Sequence, residues 1–236
     1  MKSKRAELHI HTVLSPDAGL EMIPPFIIEE AQKKGIEILA ITDHNASANV
    51  PAVMRAAEGT GITVIPGLEL ETQEEVHILC LFDNLAQLNQ FQTLVDQHLP
   101  PYLNNENFFG TQLVVDENGN FLRKDERLLA AASTLTLLEA KRAVQALGGW
   151  FLPAHVEREQ NGLLPRLGDF PPELELEIVE ISHYLHPQSV REQFPQLRRM
   201  RTIQNGDAHH LDGILGITEL RIEKTDLDSI RRALMA

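Results

Sequence analysis

Short apolar runs alternate along this chain with longer stretches whose apolar positions recur three and four residues apart. The run ELHIH at 7–11 reads as a strand, and the spacing of IPPFIIEEAQKKG after it predicts a helix stopped at Gly35. IEILAITDH is apolar almost throughout, as a strand buried on both faces would be, and VPAVMRAAEGTG predicts the next helix. ITVIPGLELET and VHILCLFD are two further strands joined by an acidic turn from Gln73 to Glu75. Residues 84–133 break the rhythm. They hold the helical LAQLNQFQTLVDQHL, the turn-rich PPYLNNENFFG and then QLVVDENGNFL, where Asn118 and Gly119 signal a β-hairpin. This segment is expected to be an insertion or lid. Alternation resumes with TLLEAKRAVQALGG, where Thr136 and Glu139 match a capping box, followed by the strands WFLPAHV, IVEISH, RTIQNGDAH and ITELRIE. A last helix opens near Thr225 and runs through LDSIRRALM.

Repeated βα units imply an α/β fold with a mostly parallel sheet, which closure into a barrel would make into one pocket at the strand ends. The length of 236 residues suits a single domain over 1–236, without internal repeats. One cysteine, Cys80, excludes an internal disulfide and asks for no oxidising compartment. MKSKRAELHIH has no apolar stretch after its basic residues, and no run is long enough for a membrane span, so the expectation is a cytoplasmic protein without membrane contact. A net charge of -13, no cluster of cations interleaved with aromatics and only 5% aromatic residues disfavour extended nucleic acid as a partner. A small phosphorylated substrate remains compatible, because bound cations reverse the local field.

Ten histidines are present, and most stand where a run begins or ends: His9, His11, His44, His77, His155, His183 and His209. Side chains at i and i+2 of a strand share a face, so His9 with His11, and Asp207 with His209, can each grip one ion. Imidazole and carboxylate together suit zinc, manganese or iron, and no thiolate is involved. LHIHTVLSPDAG, AITDHN, PGLELE, VHILCLF, PAHV and NGDAH, taken in order, resemble the PHP (polymerase and histidinol phosphatase) superfamily, in particular its short stand-alone bacterial members.

That resemblance implies a distorted, TIM-like barrel of seven βα units with two to three divalent ions at the strand C-termini. It implies His9, His11, Glu69 and Asp207 around a first ion, and Glu69 bridging to a second held also by His77 and His155. Asp17, His44 and His209 would hold a third. The implied reaction is hydrolysis of a small phosphomonoester by a metal-bridging hydroxide at a trinuclear site. Alternatives are a nucleotide or short-oligonucleotide phosphodiesterase, or an accessory protein that keeps the metals without turnover and serves a protein partner.

Asp43, next to His44, is read as an orienting residue or a proton-transfer group, Arg158 as a substrate contact or a solvated charge in the run EREQ, and His183 as a substrate contact or a packing residue. Glu71 is read as solvated or as support for a ligand, His98 as structural, His186 as a loop residue and His210 as facing away. The acidic tract PELELEIVE is read as the solvated face of a strand, and Cys80 as a buried small hydrophobe.

Overall fold

The computed structural model describes residues 2–236, with side chains from Ser3 onward. The chain runs β1 (Lys2–Ile10), α1 (Pro24–Lys33), β2 (Ile36–Ile41), α2 (Val50–Ala56), β3 (Thr63–Glu71), β4 (His77–Leu81) and α3 (Leu85–His98). It continues through α4 (Glu106–Phe109), β5 (Leu113–Val115), β6 (Phe121–Lys124), α5 (Leu137–Ala146), β7 (Trp150–Pro153) and α6 (Leu163–Leu167). The last elements are β8 (Ile178–Glu180), α7 (Pro187–Gln193), β9 (Arg201–Ile203), β10 (Thr218–Ile222) and α8 (Leu227–Met235).

Six strands form a mixed sheet in the order β10-β1-β2-β3-β4-β7, while β8 and β9 pair in parallel beside it. Backbone bonds curl the two pieces together. Val156 N donates to Glu180 O at 3.0 Å, and Ala208 N donates to His9 O at 3.0 Å. The result is barrel-like but is not a ring of regular parallel βα units. A crossover between parallel strands takes about a dozen or more residues, and the connection from β3 to β4 is only the turn closed by Thr72 and Val76. β4 therefore runs against β3, and β7 against β4, which restores the original direction. β10 returns antiparallel on the outer edge of β1. One functional consequence is immediate: His77 begins β4 at the end where β3 finishes, instead of following a strand.

Neighbouring residues of one strand divide between two cores, as strand alternation requires. Leu39, Ile41, Leu68 and Ile78 pack with the helix residues Ile27, Val53, Phe91 and Val144. Ile38, Leu8, Leu79 and Leu152 pack with Ile230 of α8. α5 begins with the predicted capping box, in which Thr136 and Glu139 satisfy each other's backbone amides. Gly35 sits just past α1 at φ 64°, the left-handed conformation that a glycine adopts without steric cost. α8 is capped by Asp226, one residue later than the sequence signal.

The segment 84–133 proves to be two things. α3 buries Leu88, Phe91 and Val95 in the main core, so it belongs to the body of the fold. Residues 99–133 are the excursion, with the β5–β6 hairpin predicted at Asn118 and Gly119. The excursion leans on the loops that follow β1 and β2 through Leu113 N to Val13 O, 2.8 Å, and Asn45 Nδ2 to Leu129 O, 2.8 Å. No helix among the described residues is long and apolar enough to cross a membrane.

Candidate metal centre

Nine polar side chains from six strands and their following loops meet at one end of the curled sheet. Glu69, on β3, lies at the centre. Its Oε1 is 3.3 Å from His9 Nε2, 3.0 Å from His77 Nδ1 and 3.2 Å from His155 Nε2. Its Oε2 is 3.0 Å from His44 Nδ1 and 3.5 Å from His11 Nε2. Asp207 Oδ1 stands 3.1 Å from His9 Nε2 and 3.4 Å from His11 Nε2. At the outer edge, Asp17 Oδ2 is 3.4 Å from His44 Nε2 and 3.2 Å from His209 Nε2.

Backbone geometry explains how short strands aim these groups. Isolated bridges hold Ile10 to Ala208 and His44 to Glu69, which fixes the loop ends against the strands. His155 and Asp207 adopt φ of 29° and 49°, in the left-handed region. Such a conformation costs on the order of 1–3 kcal/mol for a residue with a side chain and persists only where the surroundings over-determine it. Both residues face the same cluster.

The donor set fits divalent ions. Six buried atoms, His9 Nε2, His11 Nε2, Glu69 Oε2, His77 Nδ1, Asp207 Oδ1 and His209 Nε2, have no hydrogen-bond partner although they crowd together. A buried polar atom left unsatisfied costs about 1–3 kcal/mol, and cations placed among such lone pairs remove that penalty. Three overlapping groups have mutually close ligand atoms: His9, His11 and Glu69; His44, Glu69 and His77; and His11, His44 and His209. They divide the residues differently from the three sets anticipated from the sequence, and Asp17, His155 and Asp207 fall outside them. His44 approaches both the Glu69–His77 pair and the Asp17–His209 pair, while His155 reaches the cluster through Glu69.

Behind the first layer, hydrogen bonds fix which imidazole nitrogen faces inward. His9 Nδ1 lies 3.0 Å from Glu180 Oε1, and Glu180 also accepts from Asn205 Nδ2 at 2.7 Å and from His155 N at 3.2 Å. One carboxylate thus ties three ligand-bearing segments. Glu180 ends the tract read as solvated: Glu173, Glu175 and Glu177 are exposed as expected, but Glu180 is buried and turned to the site. His11 Nδ1 lies 2.9 Å from Ser15 Oγ, which donates to Asp43 Oδ1 at 2.8 Å. Asp43 also accepts from Thr12 N at 2.6 Å and Thr12 Oγ1 at 2.8 Å, so it organises the Thr12–Ser15 loop and orients His11 through Ser15. Glu7 accepts three amides, from Gly206, Leu215 and Gly216, and so braces the loop that carries Asp207.

The remaining sequence candidates fall at the rim or outside. Arg158 binds Asp207 Oδ2 directly, so its guanidinium stands next to the cluster while engaged with a ligand carboxylate. His183 is exposed after β8 and meets Tyr184 edge to face at 5.4 Å. Glu71 Oε2 lies 3.8 Å from His77 Nε2. His98 Nδ1 bonds Leu94 O at 2.9 Å within its helix, His186 caps α7, and His210 pairs with Glu21 at 2.8 Å. Cys80 is a buried free thiol.

Charge follows geometry. Burial opposes ionisation of Glu69, yet His77 and His9 outweigh it and hold the carboxyl well below the usual range. Burial likewise works against charge on His9, but Asp207, Glu180 and Glu69 raise its pKa well above the ordinary value. His11 goes the other way, to about 3, through burial and then the neighbouring His209 and His44. Burial pushes Glu7 up to about 7 against the pull of its three amides.

Parts of this chain are similar to known proteins. The family model described as "PHP domain" matches residues 7–146. A segment is 41% identical over 68 residues to DNA polymerase III PolC-type of Staphylococcus epidermidis, covering 29% of this chain and 5% of that protein. Another is 32% identical over 80 residues to phosphoribosyl 1,2-cyclic phosphate 1,2-diphosphodiesterase of Eggerthella lenta, covering 32% of this chain and 29% of that enzyme. The alignments therefore span only a small part of those curated relatives. In three dimensions the chain resembles the lesion-specific endonuclease PfuEndoQ of Pyrococcus furiosus, with a TM-score of 0.71 at 19% identity, over 99% of this chain and 56% of that one. Two of these relatives are named for work on nucleic acid, which runs against the expectation that such a partner is disfavoured. With a family model that spans more than half of its length, this chain belongs to the PHP domain family.

Proposed function

We propose that this protein is a metal-dependent phosphoesterase, and that a small phosphomonoester is its preferred substrate. The observation that carries the reading is Glu69: one buried carboxylate within 3.5 Å of five imidazoles, surrounded by lone pairs that no hydrogen bond among the described residues satisfies. His9, His11, Glu69 and Asp207 would hold one ion, Glu69, His77 and His155 a second, and Asp17, His44 and His209 a third. Bound divalent ions there would activate water and neutralise phosphate charge.

The protein's own groups do the rest. Glu180 and Ser15 keep His9 and His11 in the tautomer that presents Nε2 inward. Asp17, with 55% of its side chain exposed, and Arg158, with 35%, form the part of the site that an incoming phosphate meets. Arg158 can exchange Asp207 for phosphate oxygens, because a guanidinium offers paired donors to either.

A nucleotide or short-oligonucleotide phosphodiester is the second reading. It is favoured by the exposed ring of Tyr184 in the loop after β8, which gives a base a surface to stack on. The deciding experiment is turnover by the metal-loaded protein on phosphorylated metabolites, dinucleotides and single-stranded oligonucleotides. The leading reading expects phosphate release from small monoesters, abolished by a chelator. Higher catalytic efficiency on oligonucleotides than on every monoester would put the second reading in its place, and no turnover with any divalent metal would favour an accessory role.

A further inference from the structure

At the opposite end of β8 and β9 from the metal cluster, four arginines line one cleft of about 520 Å³: Arg191, Arg198, Arg199 and Arg201. In a chain of net charge -13 this is a local inversion of sign, and Glu177 is the only carboxylate among its lining residues. Two of the guanidiniums are held in place by neutral groups, Arg191 by Thr202 Oγ1 at 2.9 Å and Arg201 by Met235 O at 3.2 Å. Arg199 pairs with Asp169 at 2.5 Å at the rim. Arg198 makes no hydrogen bond or ion pair among the described residues. Several cations thus face one concavity with little internal neutralisation, an arrangement that concentrates an anionic ligand.

We propose that this cleft is a second anion site, for a small phosphorylated molecule bearing more than one phosphate. Guanidinium forks match phosphate oxygens in pairs, and a volume within about 300–1,000 Å³ suits a molecule of nucleotide size. Met200 adds an apolar surface to the same cleft, so a ligand with an organic part gains contact beyond its charges. The site is separate from the metal centre. Arg201 starts β9 and Glu177 precedes β8, whereas Glu180 and the segment to Asp207 leave the far ends of those strands; a strand of this length spans roughly 10 Å. Occupancy at one end of β8–β9 would bear on strands whose other ends carry Glu180 and Asn205, the groups behind His9.

Isothermal titration of the metal-loaded protein with tripolyphosphate tests the proposal, comparing wild type with Arg198→Glu and with Arg166→Glu. Arg166 is an exposed arginine outside the cleft, so its variant makes the same change in net charge. The expected result is that Arg198→Glu weakens binding by at least about tenfold, with loss of affinity as salt rises, while Arg166→Glu stays close to wild type. Circular dichroism of the Arg198 variant should be unchanged, since that side chain supports nothing else. Equal binding in all three proteins would place the anion at the metal centre and overturn the proposal, as would equal weakening by the two variants. A single-stranded oligonucleotide that bound more tightly than tripolyphosphate, in an Arg198-dependent way, would overturn the small-ligand assignment.

Discussion

Glu69 and Asp17 are both carboxylates facing imidazoles, yet they occupy different worlds. Glu69 is 1% exposed and sits on a strand bonded on both sides, whereas Asp17 is 55% exposed on a loop. The inner carboxylate is fixed by the paired strand that carries it. Among the described residues the outer one is held by His44 and His209 alone, and it meets solvent. The cluster thus has a buried interior and a solvent-facing rim, and the two should fail in different ways when damaged.

The largest effect belongs to the interior. Glu69→Ala should strip the protein of most of its metal, measured by elemental analysis after desalting, and lower turnover by at least about 100-fold. Full retention of metal would erase the distinction between interior and rim. At the rim, Asp17→Asn should lower turnover about 10- to 100-fold while the melting temperature hardly moves, because an exposed loop residue supports little packing. Unchanged turnover at saturating substrate would show that the rim carboxylate does no work.

A smaller effect sharpens the comparison one layer deeper. Glu180→Gln keeps the shape but removes the charge behind His9, and the metal titration should shift by about tenfold. The smallest effect concerns Glu7, which braces the Asp207 loop without touching the cluster. Its pKa of about 7 in the folded protein lies above the ordinary 4.5, so the folded state binds the extra proton between these values. Stability therefore falls as pH climbs from 4.5 to 7, by about 3 kcal/mol. Glu7→Gln should flatten that slope in thermal melts, and a slope identical to wild type would assign it to another group.

Much of this was legible in the amino-acid sequence, for definite reasons. The alternation of His9 with His11, the capping box at Thr136 and the hairpin at Gly119 are local signals read by local rules, and each is present, whereas Asp207 and His209 lie beyond the end of β9, with Asp207 at φ 49°, so a loop and not strand alternation aims them. Strand direction was harder, because apolar runs look alike whichever way they run. The brevity of the link from Glu71 to His77 was the available cue for β4. Glu180 was hidden because its neighbours in PELELEIVE alternate like a solvated strand, and only pairing with β9 and the bond to Val156 turn its side chain inward. The break in that alternation at Ile178 and Val179, just before Glu180, was the signal that could have found it.

Glu69 is proposed to join ions in one cluster. Anomalous diffraction from crystals soaked in manganese tests it most directly. At least two peaks are expected, each in contact with an oxygen of Glu69 and each reached by histidines of the cluster. Peaks confined to other parts of the surface, or a single ion that Glu69 does not touch, would contradict it.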